Sequence, residues 1–247
     1  MNSEKLKQIK IVLVEPAGAL NVGSIARIMK NMGLRQLVLV NPQCDPHGEE
    51  ARLMAVHGRD LLKEARQVDN LAQALEGCQC AIATTARSRS LPTTLESPRS
   101  LLPTLLTNNL SSAIIFGREN SGLRNDELSY AQRFIEIPAN PEYPSLNLAQ
   151  AVAVCAYELY QATIQPEVEV IKNSTPPNPD IAPIDILEGY YQHLESVLLK
   201  IQYLYPHTVE SRMEKFRRLF NRANLTAEEV AMLRGILRQT DWAIKDD

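Results

Sequence analysis

Strands alternating with helices up to about residue 163, strand-length apolar runs closed by Pro or Gly, and a change of composition after about residue 164 predict an α/β layer structure. Its sheet is expected to be mostly parallel, and a small helical unit is expected to follow it. The chain has 247 residues, enough to bury a sizeable core.

Residues 9–14 (IKIVLV) are β-branched and apolar and run into Glu15-Pro16, which cannot continue a central strand. A turn segment from Gly18 to Gly23 follows, and then a helix over Ser24 to Met32, where Ile25, Ile28, Met29 and Met32 recur at helical spacing. Gln36 to Val40 is the second strand, closed by Asn41-Pro42. Helices are expected over about 49–64 and 69–76, the latter ended by Gly77, and strands over 80–84, 113–116 and 134–137, the last stopped by Pro138. From Ser145 an apolar helix of about five turns begins. Its stretch from Leu146 to Leu159 is apolar on most faces and must be covered by core, knot or partner. The stretch QPEVEVIKNSTPPNPDIAP reads as an exposed linker. Beyond it, 184–201 and 209–220 have helical spacing, and Thr226 with Glu229 is a capping-box pair for a last helix through Trp242. The expected division is therefore 1–163, a linker over 164–182, and helices over 183–247.

The formal charge of −3 disfavours a protein that holds nucleic acid by bulk charge, while leaving room for a local basic face. No apolar stretch approaches the roughly 20 residues of a membrane span, and MNSEKLKQIK lacks the apolar core of a signal peptide. A cytoplasmic protein is expected. Cys44, Cys78, Cys80 and Cys155 read as reduced core cysteines, and Cys78-x-Cys80 lacks the spacing of zinc or redox motifs. His47, His57, His193 and His207 show no ligand spacing, and no metal site is expected.

Three segments carry chemistry. Gly18 and Gly23 have the spacing of a phosphate-binding loop, but Ser24 and Ile25 stand where its Lys and Ser/Thr belong, which argues against a nucleotide triphosphatase. A plain βα turn is the alternative, and what resists it is Asn21 and Arg27, an amide and a guanidinium near a helix start. Gly117-Arg118-Glu119-Asn120-Ser121-Gly122 follows a buried strand, either as a structural loop or as a ligand loop at a strand's carboxyl end. Ser145 and Asn147 follow a proline-stiffened loop, where both fit capping as well as ligand binding.

In this order, Asn21-x-Gly-Ser-x-Ala-Arg27, Phe116-Gly-Arg-Glu-x-x-Gly-Leu123 and Ile137-Pro-x-Asn-Pro-x-Tyr-x-Ser-Leu-Asn-Leu148 resemble motifs one to three of the SpoU-type branch of the SPOUT superfamily. The resemblance covers roughly residues 8–163. The tail KFRRLFNRANLTAEEVAMLRGILRQ and the segment Thr84 to Arg89 are similar to the TrmJ type within that branch.

The resemblance implies an α/β fold with a deep trefoil knot, a homodimer, S-adenosylmethionine as cofactor, and 2'-O-methylation of cytidine or uridine 32 in the tRNA anticodon loop. It implies a cofactor site lined by Thr84, Thr85, Ala86, Gly117, Ile137, Ser145, Leu146 and Asn147. Arg27 is then the expected central catalytic residue, with Asn21 and Glu119 orienting it and Ser145 near the ribose. A guanidinium does not readily give up its proton, so Arg27 is expected to clamp the target phosphate rather than act as a base. Arg87, Arg89, Arg212, Lys215, Arg217, Arg218 and Arg222 are the expected RNA contacts, with a solvated helix face as the alternative for the last five. No DNA or membrane partner is expected. Ribosomal RNA as substrate and a catalytically silent RNA-binding factor are the competing functional readings.

Overall fold

The computed structural model describes residues 2–85, 94–107, 110–164 and 180–245. Seven strands, β1 (Lys10–Val14), β2 (Gln36–Val40), β3 (Arg66–Val68), β4 (Cys80–Thr84), β5 (Leu95–Glu96), β6 (Ser112–Phe116) and β7 (Arg133–Ile135), form one sheet in the order β3-β2-β1-β6-β4-β7-β5. Every pairing is parallel. The connecting helices are α1 (Asn2–Leu6), α2 (Ala19–Asn31), α3 (Glu49–Ala55), α4 (Arg59–Glu64), α5 (Leu71–Ala74), α6 (Pro98–Leu101), α7 (Pro103–Thr107), α8 (Asn125–Leu128) and α9 (Leu148–Ile164). The tail adds α10 (Ile184–Lys200), α11 (Val209–Ala223) and α12 (Ala227–Lys245).

Side chains alternate across a strand, so the central strands feed two cores. Ile11, Leu13, Leu39, Ile82, Ile114 and Phe116 pack on the face covered by α2 and α9. Val12, Val14, Val38, Val40, Ala81, Ala113 and Ile115 face the other side, against Leu71, Leu75 and Ile184. Ile184 opens the tail, and its backbone N–H donates to Cys78 O at 2.7 Å. Asp185 accepts from Gly77 N at 3.0 Å. The tail also has a core of its own, built on Tyr190, Tyr191, Leu194, Val197, Met213 and Val230. The expected capping box forms, with Thr226 N donating to Glu229 Oε2 at 2.8 Å and Glu229 N to Thr226 Oγ1 at 3.2 Å.

Four expectations need correction. The helix expected from Ser24 begins at Ala19, so Gly23 lies inside it. A Cβ on Gly23 would fall 2.3 Å from Ala51 O, which makes this glycine a close-packing residue between α2 and α3 and removes the phosphate-loop reading. The single helix expected over 49–64 is broken at Val56, φ 49°, where Gly58 approaches the α2 backbone so closely that a Cβ would meet Ala26 O at 2.7 Å. The helix expected over 69–76 shortens to α5, capped by Asn70 Oδ1 accepting from Gln73 N at 3.0 Å. The strand expected over 134–137 is Arg133–Ile135. Strands β3 and β5 carry no apolar alternation, which is why they are invisible in the sequence. Most of the expected linker lies outside the described residues.

Candidate functional site

The carboxyl ends of β1, β4, β6 and β7 lie together where the strand order departs in both directions from β1 and β6, the place where open α/β sheets hold ligands. Glu119 stands at the centre. Its Oε1 accepts from Gly18 N and from Asn21 Nδ2, both at 3.0 Å, and its Oε2 accepts from Ala17 N at 3.1 Å. Burial pushes this carboxyl up, but the bonds from Asn21 and from the backbone N–H groups of Ala17 and Gly18 outweigh it and hold the group below its ordinary range. The anion also sits against the N-terminus of α2, where the helix dipole favours it.

Asn21 carries the network onward. Its Oδ1 accepts from Asn147 Nδ2 at 3.1 Å, so three segments far apart in sequence share one hydrogen-bonded chain. Asn147 is the cap of α9: its Oδ1 accepts from Ala149 N at 2.9 Å, and Gln150 Oε1 accepts from Asn147 N at 3.2 Å. Ser145 caps nothing and is exposed, because α9 starts at Leu148 rather than at Ser145. Of the two roles left open by the sequence, capping is the one seen at Asn147, which also joins the network through Asn21.

The Glu119 loop is shaped by its neighbour. Arg118 donates through Nε to Glu15 Oε2 at 2.7 Å and through its fork to Glu127 at 2.7 and 2.9 Å, with only 10% of its side chain exposed. Glu127 Oε2 also accepts from Arg124 N at 2.7 Å. Arg118 pulls the Glu15 carboxyl below its ordinary range, and the two carboxylates raise the guanidinium pKa further still. Across the loop, Arg118 N donates to Gly122 O and Gly122 N to Arg118 O, at 3.3 and 3.0 Å, and Gly122 takes φ +70°. Sequence reasoning missed Arg118, Glu15 and Glu127 as a unit. The available signal was Glu127 three residues after Arg124, the second half of a capping box without the usual Ser, Thr, Asp or Asn.

Beside this network lies a cavity of about 220 Å³. Of the residues expected at a cofactor site, Thr84, Thr85, Gly117, Ile137, Ser145 and Leu146 line it. Asn147 does not line it and reaches the site through Asn21; Ala86 lies outside the described residues. Thr84 contributes wall only, since its hydroxyl donates to Ile115 O at 3.0 Å. Glu119, Asn120, Ser121, Asn125, Ile135 and Leu148 are among the other residues that line it. The backbone N–H groups of Ser145 and Leu146 find no acceptor among the described residues, so they are open to a ligand. Apolar walls with a few hydroxyl and main-chain groups and one ionised carboxylate suit a flat heteroaromatic ring linked to a cationic group.

Arg27 is not held by Asn21 or Glu119. Six residues separate it from Asn21, which at 100° per residue puts the two about 120° apart around the helix. Arg27 is exposed on α2, does not line the cavity, and has no ion pair or hydrogen bond among the described residues. Arg217 also departs from expectation. Its fork is committed to Glu188 at 2.6 and 2.7 Å, and its guanidinium lies 4.6 Å from the Tyr191 ring centroid and 5.2 Å from that of Tyr130. Its charge is thus spent inside the protein, between α11, α10 and the segment after α8. Arg212, Lys215 and Arg222 are exposed, and Arg218 is half-buried, 3.9 Å from Glu214. Lys215, Arg218 and Arg222 line a groove of about 600 Å³ between α11 and the β7–α8 region, and its wall shares Asn125 and Leu128 with the cavity. Arg87 and Arg89 lie outside the described residues. Among the described residues no cluster of His, Cys, Asp and Glu could hold a metal ion, and no helix is long and apolar enough to cross a membrane.

The model of the SpoU rRNA Methylase family matches residues 8–157, and that of the tRNA methyltransferase TrmJ C-terminal domain matches 185–247. The chain is 44% identical over 240 residues to the tRNA (cytidine/uridine-2'-O-)-methyltransferase TrmJ of Pectobacterium atrosepticum, covering 94% of this chain and 96% of the relative. It is 41% identical to the tRNA (cytidine/uridine/adenosine-2'-O-)-methyltransferase TrmJ of Pseudomonas aeruginosa, covering 95% and 94%. The crystal structure of TrmJ from Z. mobilis superposes with a TM-score of 0.82 at 32% identity, over 94% of this chain and 98% of that one. The SpoU methyltransferase AviRb from Streptomyces viridochromogenes, solved with AdoMet, shares the fold at 17% identity and a TM-score of 0.52, over 64% of this chain and 58% of that one.

Proposed function

Because the chain belongs to the SpoU methylase family and carries the C-terminal domain of the TrmJ methyltransferases, we propose that it methylates the ribose 2'-hydroxyl of cytidine or uridine 32 in the tRNA anticodon loop, with S-adenosylmethionine as donor. One observation carries the reading: the Glu119–Asn21–Asn147 network ties three separate segments together beside one cavity, whose wall includes Glu119.

The residues present fit the donor. Ile135, Ile137, Leu146 and Leu148 offer apolar surface to an adenine ring, and the free N–H groups of Ser145 and Leu146 can read its edge. Glu119 puts a held negative charge at the cavity wall, which suits a cation. When bound, S-adenosylmethionine supplies an electrophilic methyl group on sulfur. The chain's own task is then orientation, which can remove roughly 7–11 kcal/mol of barrier. Glu119 and Asn21 fix the α2 turn, Asn147 fixes the start of α9, and Ser145 lies at the rim where the ribose enters. Arg27, exposed and unpaired among the described residues, is assigned the flanking phosphate, and the hydroxyl proton leaves to phosphate oxygen or water.

Lys215, Arg218 and Arg222 in their groove, with Arg212 beside them, are assigned to RNA. Neutralising Lys215, Arg218 and Arg222 together is expected to lower the slope of log affinity for tRNA against log salt by about 2, since each lost phosphate contact removes roughly 0.7–0.9. Filter binding from low to moderate salt measures it, and an unchanged slope would remove the groove from the interface. The family's knot and homodimer belong to the same proposal, as does the division into a catalytic domain over 1–163, a linker over 164–182 and an RNA-binding extension over 183–247. Support for the dimer comes from Tyr157, Tyr160 and Ile164, which α9 leaves exposed in one stripe.

Labelled methyl transfer to unmodified total tRNA and to ribosomal RNA tests the function. Incorporation into tRNA at residue 32 is expected. Incorporation only into ribosomal RNA would favour the second reading, and none with either RNA despite cofactor binding would favour a silent factor.

A further inference from the structure

The helical tail is docked on the element that holds the Glu119 loop. Two contacts make the dock. The Arg217 guanidinium lies over the rings of Tyr191 of α10 and Tyr130, just past α8, while Glu188 takes its fork. Asn221, one turn further along α11, accepts from Tyr191 Oη at 3.0 Å and donates to Ser129 O at 3.3 Å. Ser129 and Tyr130 directly follow α8, and Ser129 N is hydrogen-bonded into it. Glu127 in α8 grips Arg118, whose backbone closes the loop that presents Glu119 to Ala17, Gly18 and Asn21.

These contacts are contiguous and well buried. The Arg217 and Glu188 side chains are 15% and 12% exposed, and Arg118 and Glu127 are 10% exposed each. A short helix of one turn has little stability of its own. Its seat is set by what it touches: the sheet, through Leu128 packed with Ala83 and Phe134, the motif loop, and the tail.

We propose that Arg217 and Asn221 are positioning residues for the methyl-transfer site: tail docking seats α8, and α8 through Glu127 and Arg118 sets the Glu119 loop and the cofactor cavity it lines. The tail therefore acts on cofactor binding in the absence of any RNA. This inference rests on the functional reading only where the ligand is concerned, because the loop's order can be measured without one.

The test pairs a structural readout with a binding readout. The double variant Arg217→Met, Glu188→Met removes the ion pair without leaving a buried charge unpaired. Asn221→Ala removes the contact to Ser129 together with the bond accepted from Tyr191 Oη, and serves if the double variant does not fold. Glu210→Gln, on α11 but outside the dock, is the control. Amide hydrogen exchange over 117–123 and 17–18 is expected to accelerate at least fivefold in the dock variants and not in the control. Calorimetric affinity for S-adenosylmethionine, without RNA, is expected to weaken at least fivefold in the same variants. Wild-type exchange in those segments, in variants that keep their helix content, would overturn the proposal. Faster exchange in a protein that never binds S-adenosylmethionine would uphold the coupling and overturn the functional reading instead.

Discussion

Glu119→Gln is expected to lower kcat for methyl transfer about 100-fold while the protein stays folded. The carboxylate accepts three hydrogen bonds, two at Oε1 and one at Oε2. A glutamine has one acceptor oxygen, so its NH₂ must face either Ala17 N–H or the pair formed by Gly18 N–H and the Asn21 amide. Either choice sets donor against donor. Hydrogen bonds to a charged group are worth roughly 1.5–3 kcal/mol each, and losing about 2.7 kcal/mol from the transition state corresponds to two decades of rate. Where the NH₂ faces the pair, Asn21 loses its acceptor, and its bond from Asn147, which links α2 to α9, loses its anchor. Steady-state kinetics and cofactor affinity on the purified variant measure the effect. A kcat within threefold of wild type would mean that the network does not position the site.

Gly117→Ala is the second large effect, and it arises from space rather than charge. A Cβ at this position would lie 2.2 Å from Gly122 C and 2.4 Å from Leu123 N. Both are backbone atoms, so no side chain can swing aside, and the loop closed between Arg118 and Gly122 must open. Cofactor affinity is expected to fall at least tenfold, because that loop lines the cavity. Overpacking of this kind costs about 1–3 kcal/mol, equivalent to roughly 2–4 °C in Tm per kcal/mol for a chain of this size. Gly77→Ala is the matched comparison. Its φ of +73° makes alanine strained, yet nothing lies within 4 Å of the added methyl. Gly77→Ala should lose stability and keep its cofactor affinity. If Gly117→Ala keeps its affinity as well, the motif loop does not form the cavity wall.

What the sequence made legible follows from how each residue acts. The five central strands are short, apolar and buried on both faces, and their composition states as much. Asn21, Glu119 and Asn147 could be singled out because polar residues at strand ends and helix starts are chemically conspicuous. Their mutual bonds could not, since they join positions 98 and 126 residues apart. Gly23 misled on where the helix begins, because a glycine needed for close helix packing looks in a sequence like one that makes a turn. Arg217 misled for a related reason: a basic run on α11 reads as one face, but Glu188 lies 29 residues away on α10 and Tyr130 in the catalytic region, so one member of the run turns inward. Arg27 shows the limit of helical spacing, for a one-and-two-thirds-turn interval puts two residues near each other along the axis and on different sides of it.

The most direct test of the central claim uses a synthetic tRNA in which nucleotide 32 carries a 2'-deoxyribose, with the base and every phosphate unchanged. Loss of labelled methyl incorporation, with tRNA binding retained, is the result expected of an enzyme that methylates that single hydroxyl. Incorporation equal to that of the all-ribose tRNA would contradict it.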